Sequence, residues 1–145
     1  MRRLGALLAL TSLVLIAAPA VAAAPKQGTY IDTKLQVYVT VGAKRTSVSS
    51  FSAPCARKLA DGTLQTYGGF SLPKAKRPKI SSKGAFSYDG NVTFNSGSAK
   101  SVVTVKISGK FANGKLKGTV TLDTAKTGCD PYSFSGKNFG VNPQG

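Results

Sequence analysis

The sequence predicts an all-β fold: a single antiparallel meander of about seven or eight short strands, closed as a sandwich or small barrel after an N-terminal signal helix. Three observations carry this. From Tyr30 onward apolar side chains recur at every second position, the period of a strand with one wet face. After the N-terminus no stretch keeps helical spacing over ten residues. Sixteen glycines and seven prolines, with many Ser and Thr, supply the chemistry of tight turns.

Residues 1–22, MRRLGALLALTSLVLIAAPAVA, read as a secretory signal peptide. Arg2 and Arg3 form the positive start and residues 4–18 the apolar run. Ala20 and Ala22 offer the small side chains that a signal peptidase inspects. Fifteen apolar residues fall short of the roughly 20 that span a bilayer, so cleavage is expected and not a retained anchor. The Arg pair also raises the twin-arginine route, but the surrounding polar consensus is missing. Residues 23–145 are then one secreted all-β domain, expected to be a monomer. Loss of Arg2 and Arg3 takes the formal charge from +15 to +13. Such an imbalance bears on solubility and anionic partners, not on fold.

The elements follow in order. Residues 25–29 are a lead-in. Leu35, Val37, Val39 and Val41 alternate with Lys34, Gln36, Tyr38 and Thr40, a strand with one wet face. Residues 45–52 are strand-like, but the phase slips between Val48 and Phe51, which predicts a bulge. Residues 64–72 predict a strand kinked at Gly68-Gly69. PKAKRPKISSK, residues 73–83, is a basic connection flanked by proline. Phe86 and Tyr88 are expected to face Val92 and Phe94 across a three-residue loop, Asp89-Gly90-Asn91. Residues 102–123 hold the clearest signal. Asn113-Gly114 is a two-residue hairpin turn, whose residues both need positive φ. Counting outward pairs Phe111 with Leu116, Ile107 with Val120, and Val105 with Leu122. A slip of one residue would destroy that match. A last strand, 132–137, turns Tyr132 and Phe134 inward.

Cys55 and Cys129 both lie in the exported part, where two cysteines pair by default. Their bridge would close about 75 residues, which in the chain-entropy model stabilises by about 4–5 kcal/mol less any strain.

The chain has no His, Glu or Trp. The usual general base and the commonest metal ligand are therefore missing. Asp61-Gly62, Asp89-Gly90 and Asp130-Pro131 read as turn dipeptides, and Asp32 and Asp123 as strand-end residues. A paired-carboxylate hydrolase would need two of these to converge. A Ser–Lys pair would need one Ser on a strained elbow beside a buried Lys, and nothing places them so. Neither a metal-binding spacing nor a phosphate loop is present, and no cofactor is expected. Asn91-Val92-Thr93 matches a glycosylation acceptor, but at the exit of a tight turn it reads as hairpin chemistry.

The positive signal is basic surface. The hairpin register sends Lys106, Lys110, Lys115 and Lys117 away from the core. The connection adds Lys74, Lys76, Arg77, Lys79 and Lys83. Singly, each lysine keeps a sheet face wet or an edge unsociable. As a set with so few acids, they are candidates for binding a polyanion: wall polymers, anionic lipid head groups or extracellular nucleic acid. Base stacking would need aromatics on the same face, and Tyr38 and Tyr67 alone are placed outward, which disfavours sequence-specific nucleic-acid recognition.

Several segments together resemble the small exported β-proteins of actinobacteria, whose function is uncharacterised. They are Gly28-Thr29-Tyr30 before an alternating strand, Cys55 followed by Asp61-Gly62, GKFANGKLKGTVTL from Gly109, and Thr127-Gly128-Cys129-Asp130 before a short aromatic strand. The resemblance covers about residues 28–137. It implies paired cysteines and carries no catalytic residues. Members often have Trp in the last strand, near the place of Phe134 here.

The expected function is that of an exported, non-enzymatic β-domain held to anionic envelope components by charge. A lipocalin-like carrier of a small ligand and an inhibitor of a secreted enzyme are the alternatives.

Overall fold

The computed structural model describes residues 24–141, so the signal segment 1–22 lies outside the described residues. Eight antiparallel strands follow one another around a closed barrel in simple sequence order. They are β1 (Gly28–Asp32), β2 (Val37–Val41), β3 (Val48–Lys58), β4 (Leu64–Ser71), β5 (Ala85–Ser96), β6 (Ala99–Ala112), β7 (Lys115–Leu122) and β8 (Tyr132–Asn138). A four-residue helix, α1 (Thr124–Thr127), sits between β7 and β8, and a 3-10 turn (Lys74–Lys76) between β4 and β5. The barrel resolves the choice that sequence left between barrel and sandwich.

Period two explains the interior. Val103, Val105, Ile107 and Phe111 of β6 are buried, while Thr104, Lys106, Ser108 and Lys110 between them are exposed. Aromatic rings fill the centre. Phe111 meets Tyr30 at 4.8 Å and Phe86 at 5.5 Å, and Phe51 meets Phe70 and Phe134 at 6.1 and 6.0 Å between ring centroids. Two inward-facing glycines make room: a Cβ on Gly109 would run into the Phe86 ring, and one on Gly118 into the Phe134 ring. The outward positions are mostly polar, with Tyr38, Leu64 and Val102 among the exposed apolar side chains on the strands. No helix among the described residues is long and apolar enough to cross a membrane.

The β6–β7 hairpin has the expected register from Ala112↔Lys115 to Val105↔Leu122. Asn113 and Gly114 take φ of 50° and 71°, as a two-residue primed turn requires. The bulge in β3 falls on Ser49, between the pairs Thr40↔Ser50 and Val41↔Val48. The kink in β4 falls on Gly68, at φ 53°. Tyr132 and Phe134 face inward.

Tyr67, expected to face outward, is instead half-buried against the core, and two further expectations fail locally. Asp89-Gly90-Asn91 is not a turn. Strand β5 runs straight through it, paired with β6 from Ala85↔Lys110 to Ser96↔Ala99, and the reversal comes at Gly97-Ser98. A three-residue loop and an unbroken strand leave Phe86, Tyr88, Val92 and Phe94 on the same face, so alternation cannot separate the two. The 14-residue β6 decides it, because it gives every residue of β5 a partner. Tyr88 lies along the strand over Gly90, its hydroxyl donating to the Asn91 carbonyl at 3.0 Å. The second difference is at the start. Leu35 is buried, but in a turn between two strands and not in β2. The Asp32 carboxylate accepts the Lys34 and Leu35 amides at 3.0 Å each, which bends the chain there.

The barrel closes where β1 meets β8, through Tyr30↔Asn138 and Ile31↔Lys137. Beyond those two pairs, Asp32 completes the seam by accepting the Ser135 amide at 2.8 Å. Cys55 and Cys129 are bonded to each other, tying β3 to the β7–β8 connection. Around that bond the Tyr132 hydroxyl donates to the Pro54 carbonyl at 2.7 Å, the Tyr67 hydroxyl to Thr127 at 2.9 Å, and the Asp130 amide to Ala56 at 2.8 Å.

Candidate anion-binding surface

An up-and-down barrel sorts its connections strictly between two ends. The turns β1–β2, β3–β4 and β5–β6 and the β7–β8 connection share the disulfide-tied end. The β2–β3 loop, the β4–β5 connection, the β6–β7 turn and the residues after β8 share the other.

Charge follows this division. Asp32, Asp61, Asp123 and Asp130 all belong to the disulfide-tied end, and Asp89 sits midway along β5. The opposite end has no acidic residue among the described residues. Its connections carry Lys26, Lys44, Arg45, Lys74, Lys76, Arg77, Lys79 and Lys83. The last turns of the adjoining strands add Lys110, Lys115, Lys117 and Lys137. The molecule is thus a barrel with one mixed end and one basic end.

The densest part lies on the outer wall beside the basic end. The Asn-Gly turn sets Lys110 directly opposite Lys117. The pairing of β7 with β8 sets Lys115 directly opposite Lys137. Lys115 and Lys117 are two apart on one strand, so all four share a face. Like charges directly opposite in a sheet cost a few tenths of a kcal/mol or more, and an anion laid across them would relieve that cost. Next to this quartet an open depression of about 730 Å³ is lined by Lys79, Lys110 and Lys117 with Ser81, Ser87 and Ser108. Lys79 is positioned by backbone bonds of its neighbours: the Val48 amide donates to Pro78 and the Ile80 amide to Thr46.

Of the nine basic residues expected from sequence, the structure groups Lys79, Lys110 and Lys117 around one depression and keeps Lys115 beside them. Lys74, Lys76, Arg77 and Lys83 share that end of the barrel. Lys76 reaches along β5, its Nζ donating to the Asn91 carbonyl at 3.4 Å. Lys106 stands apart, mid-wall and 3.6 Å from Asp89. Lys137, Lys44 and Arg45 were not singled out by sequence. The register of β8 against β7 places Lys137, and no local residue pattern reports it.

The aspartates are engaged elsewhere. Asp32 is buried and accepts three backbone amides. Asp61 accepts the hydroxyl and amide of Thr63, which hold its carboxyl below the usual carboxylate range. Asp123 lies 3.9 Å from Lys126, and Asp130 accepts the Lys58 amide at 2.8 Å. Burial, and secondarily the Asp32 charge, push the Tyr132 hydroxyl far above its ordinary value, so it remains a hydrogen-bond donor. No three metal-ligating side chains converge among the described residues. Asn91, the acceptor of the Asn-Val-Thr motif, lies mid-strand, its side-chain oxygen accepting from Thr104 at 3.1 Å.

Comparison with protein-family models, curated proteins and solved structures finds no match to this chain.

Proposed function

We propose that this chain is an exported, non-enzymatic β-barrel that associates by charge with anionic components of the cell envelope, wall polymers or lipid head groups. One observation carries the reading. The basic residues crowd one end and its adjoining wall while four of the five aspartates sit at the other end. Lysines serving solubility alone have no reason to segregate. Segregated, they build a one-sided positive field that orients the molecule toward a polyanion. The Cys55–Cys129 bond fits an oxidising compartment, and so supports the export that residues 1–22 predict. The resemblance to exported actinobacterial β-proteins points the same way. The ring-filled interior favours a surface partner over a ligand carried inside.

Retention on the envelope is then salt-dependent, because exposed charges are screened over roughly 8–10 Å near physiological ionic strength. Washing intact producing cells with rising NaCl should release the protein progressively. Equal retention at low and high salt would overturn the reading.

A further inference from the structure

We infer that the anionic component is a lipid surface, which the barrel meets through an aromatic patch beside its lysine quartet. This rests on the charge-driven association proposed above and narrows it.

Phe139 is 62% exposed. It is not a loose end of chain. Its amide donates to the Thr29 carbonyl at 2.9 Å, and the Thr29 amide donates to Gly140 at 3.0 Å. The Asn138 side chain accepts the Gly140 amide at 2.6 Å and donates to the Gln27 carbonyl at 3.3 Å. Backbone bonds therefore hold a large apolar ring in water. Phe139 follows the last residue of β8, two residues beyond Lys137, and like Lys137 it is exposed.

The neighbouring strands add to this exposed surface. Ile31 lies directly opposite Lys137 on one side and Tyr38 on the other. Ile31 is half-buried and Tyr38 is 42% exposed. Thr29, which holds Phe139, is two residues from Ile31 on β1. Phe139 just past β8, Ile31 on β1 and Tyr38 on β2 thus offer apolar and aromatic surface on neighbouring parts of the wall. Lys115, Lys117 and Lys137 border it on β7 and β8.

That combination selects among anionic partners. A hydrated polymer engages lysines but gains little from an ordered, exposed Phe. A membrane interface takes both: aromatic rings settle at head-group depth and lysines meet the anionic heads. A second copy of this chain docking through the same face would set lysine quartet against lysine quartet.

The test is sedimentation of the mature, disulfide-bonded protein with vesicles rich in phosphatidylglycerol, with phosphatidylcholine vesicles and long-chain inorganic polyphosphate as parallel arms. The inference expects binding to phosphatidylglycerol vesicles over phosphatidylcholine. F139S should weaken it about tenfold, the scale of one lost apolar anchor, with polyphosphate binding and thermal midpoint unchanged. Lys115→Gln with Lys137→Gln should weaken both anionic arms. Vesicle binding insensitive to F139S overturns the inference. Polyphosphate binding without vesicle binding also overturns it, and leaves the charge-driven reading standing. Binding to neither removes both. Concentration-dependent dimerisation that F139S abolishes assigns the face to a second copy and overturns the lipid reading.

Discussion

Two residues show how little local sequence says about a polar group's duty. Asp32 reads as a strand-end aspartate, yet its carboxylate turns the chain from β1 toward β2 and closes the barrel against Ser135. Its long-range partner is 103 residues away, beyond any local pattern. Tyr132 reads as an inward aromatic, which it is, but its hydroxyl also ties β8 to Pro54 beside the disulfide. Burial first, and the Asp32 charge second, raise its pKa in the folded protein. A raised value means the stabilising contribution is whole below the unfolded pKa of about 10 and is lost as pH climbs through and past it. Thermal melts should therefore fall more steeply above about pH 10 in the natural protein than in Tyr132→Phe, by up to about 1.4 kcal/mol per pH unit. The two proteins differ only in that hydroxyl, so the difference between their profiles isolates it. Parallel pH profiles for the two would contradict this account of Tyr132.

At the scale of elements, the β6–β7 hairpin is the most legible part of the molecule. Asn-Gly demands positive φ at both positions, and one register alone matches every apolar pair. That register also builds the Lys110–Lys117 pair, an unfavourable arrangement that folding by itself does not require. Lys117→Thr should thus raise stability by about 0.3–1 kcal/mol in urea unfolding, through relief of repulsion and better strand propensity, while weakening polyphosphate binding. A destabilised variant, or unchanged binding, would show the pair to be structural. The β5 segment was the least legible. Residues 86–94 keep the same inward face whether the chain turns at Gly90 or passes straight through, because both arrangements preserve parity. Only the length of the partner strand distinguishes them, and partner length is not local information.

That single ambiguity has a consequence for the whole molecule. In a meander each added hairpin moves every later turn to the opposite end. A turn at Asp89-Gly90-Asn91 would put the basic 73–83 connection and the Asn-Gly turn at opposite ends of the barrel. With β5 unbroken they share one end. The all-β class and the paired cysteines were readable from alternation and composition. The charge polarity was not, because it depends on counting every strand correctly. Closure of β1 onto β8 and the placing of Lys137 were hidden for the related reason that both are contacts between distant strands. The disulfide holds one end shut by linking positions 74 apart, and the basic end opposite it is left to face outward. A barrel built so has a direction, and its direction is electrostatic.

Binding of the disulfide-bonded protein to long-chain polyphosphate, measured by titration at rising NaCl, tests this most directly when two charge-matched variants are compared. One replaces Lys79, Lys110, Lys115 and Lys137 with Gln at the basic end. The other replaces Lys34, Lys58, Lys100 and Lys126 with Gln at the disulfide-tied end. Both lower the net charge equally. The account predicts a loss of tenfold or more, with a shallower salt slope, for the first variant and a small change for the second. Equal losses in both would contradict it, since they would show that net charge alone, and not its segregation, attracts the polyanion.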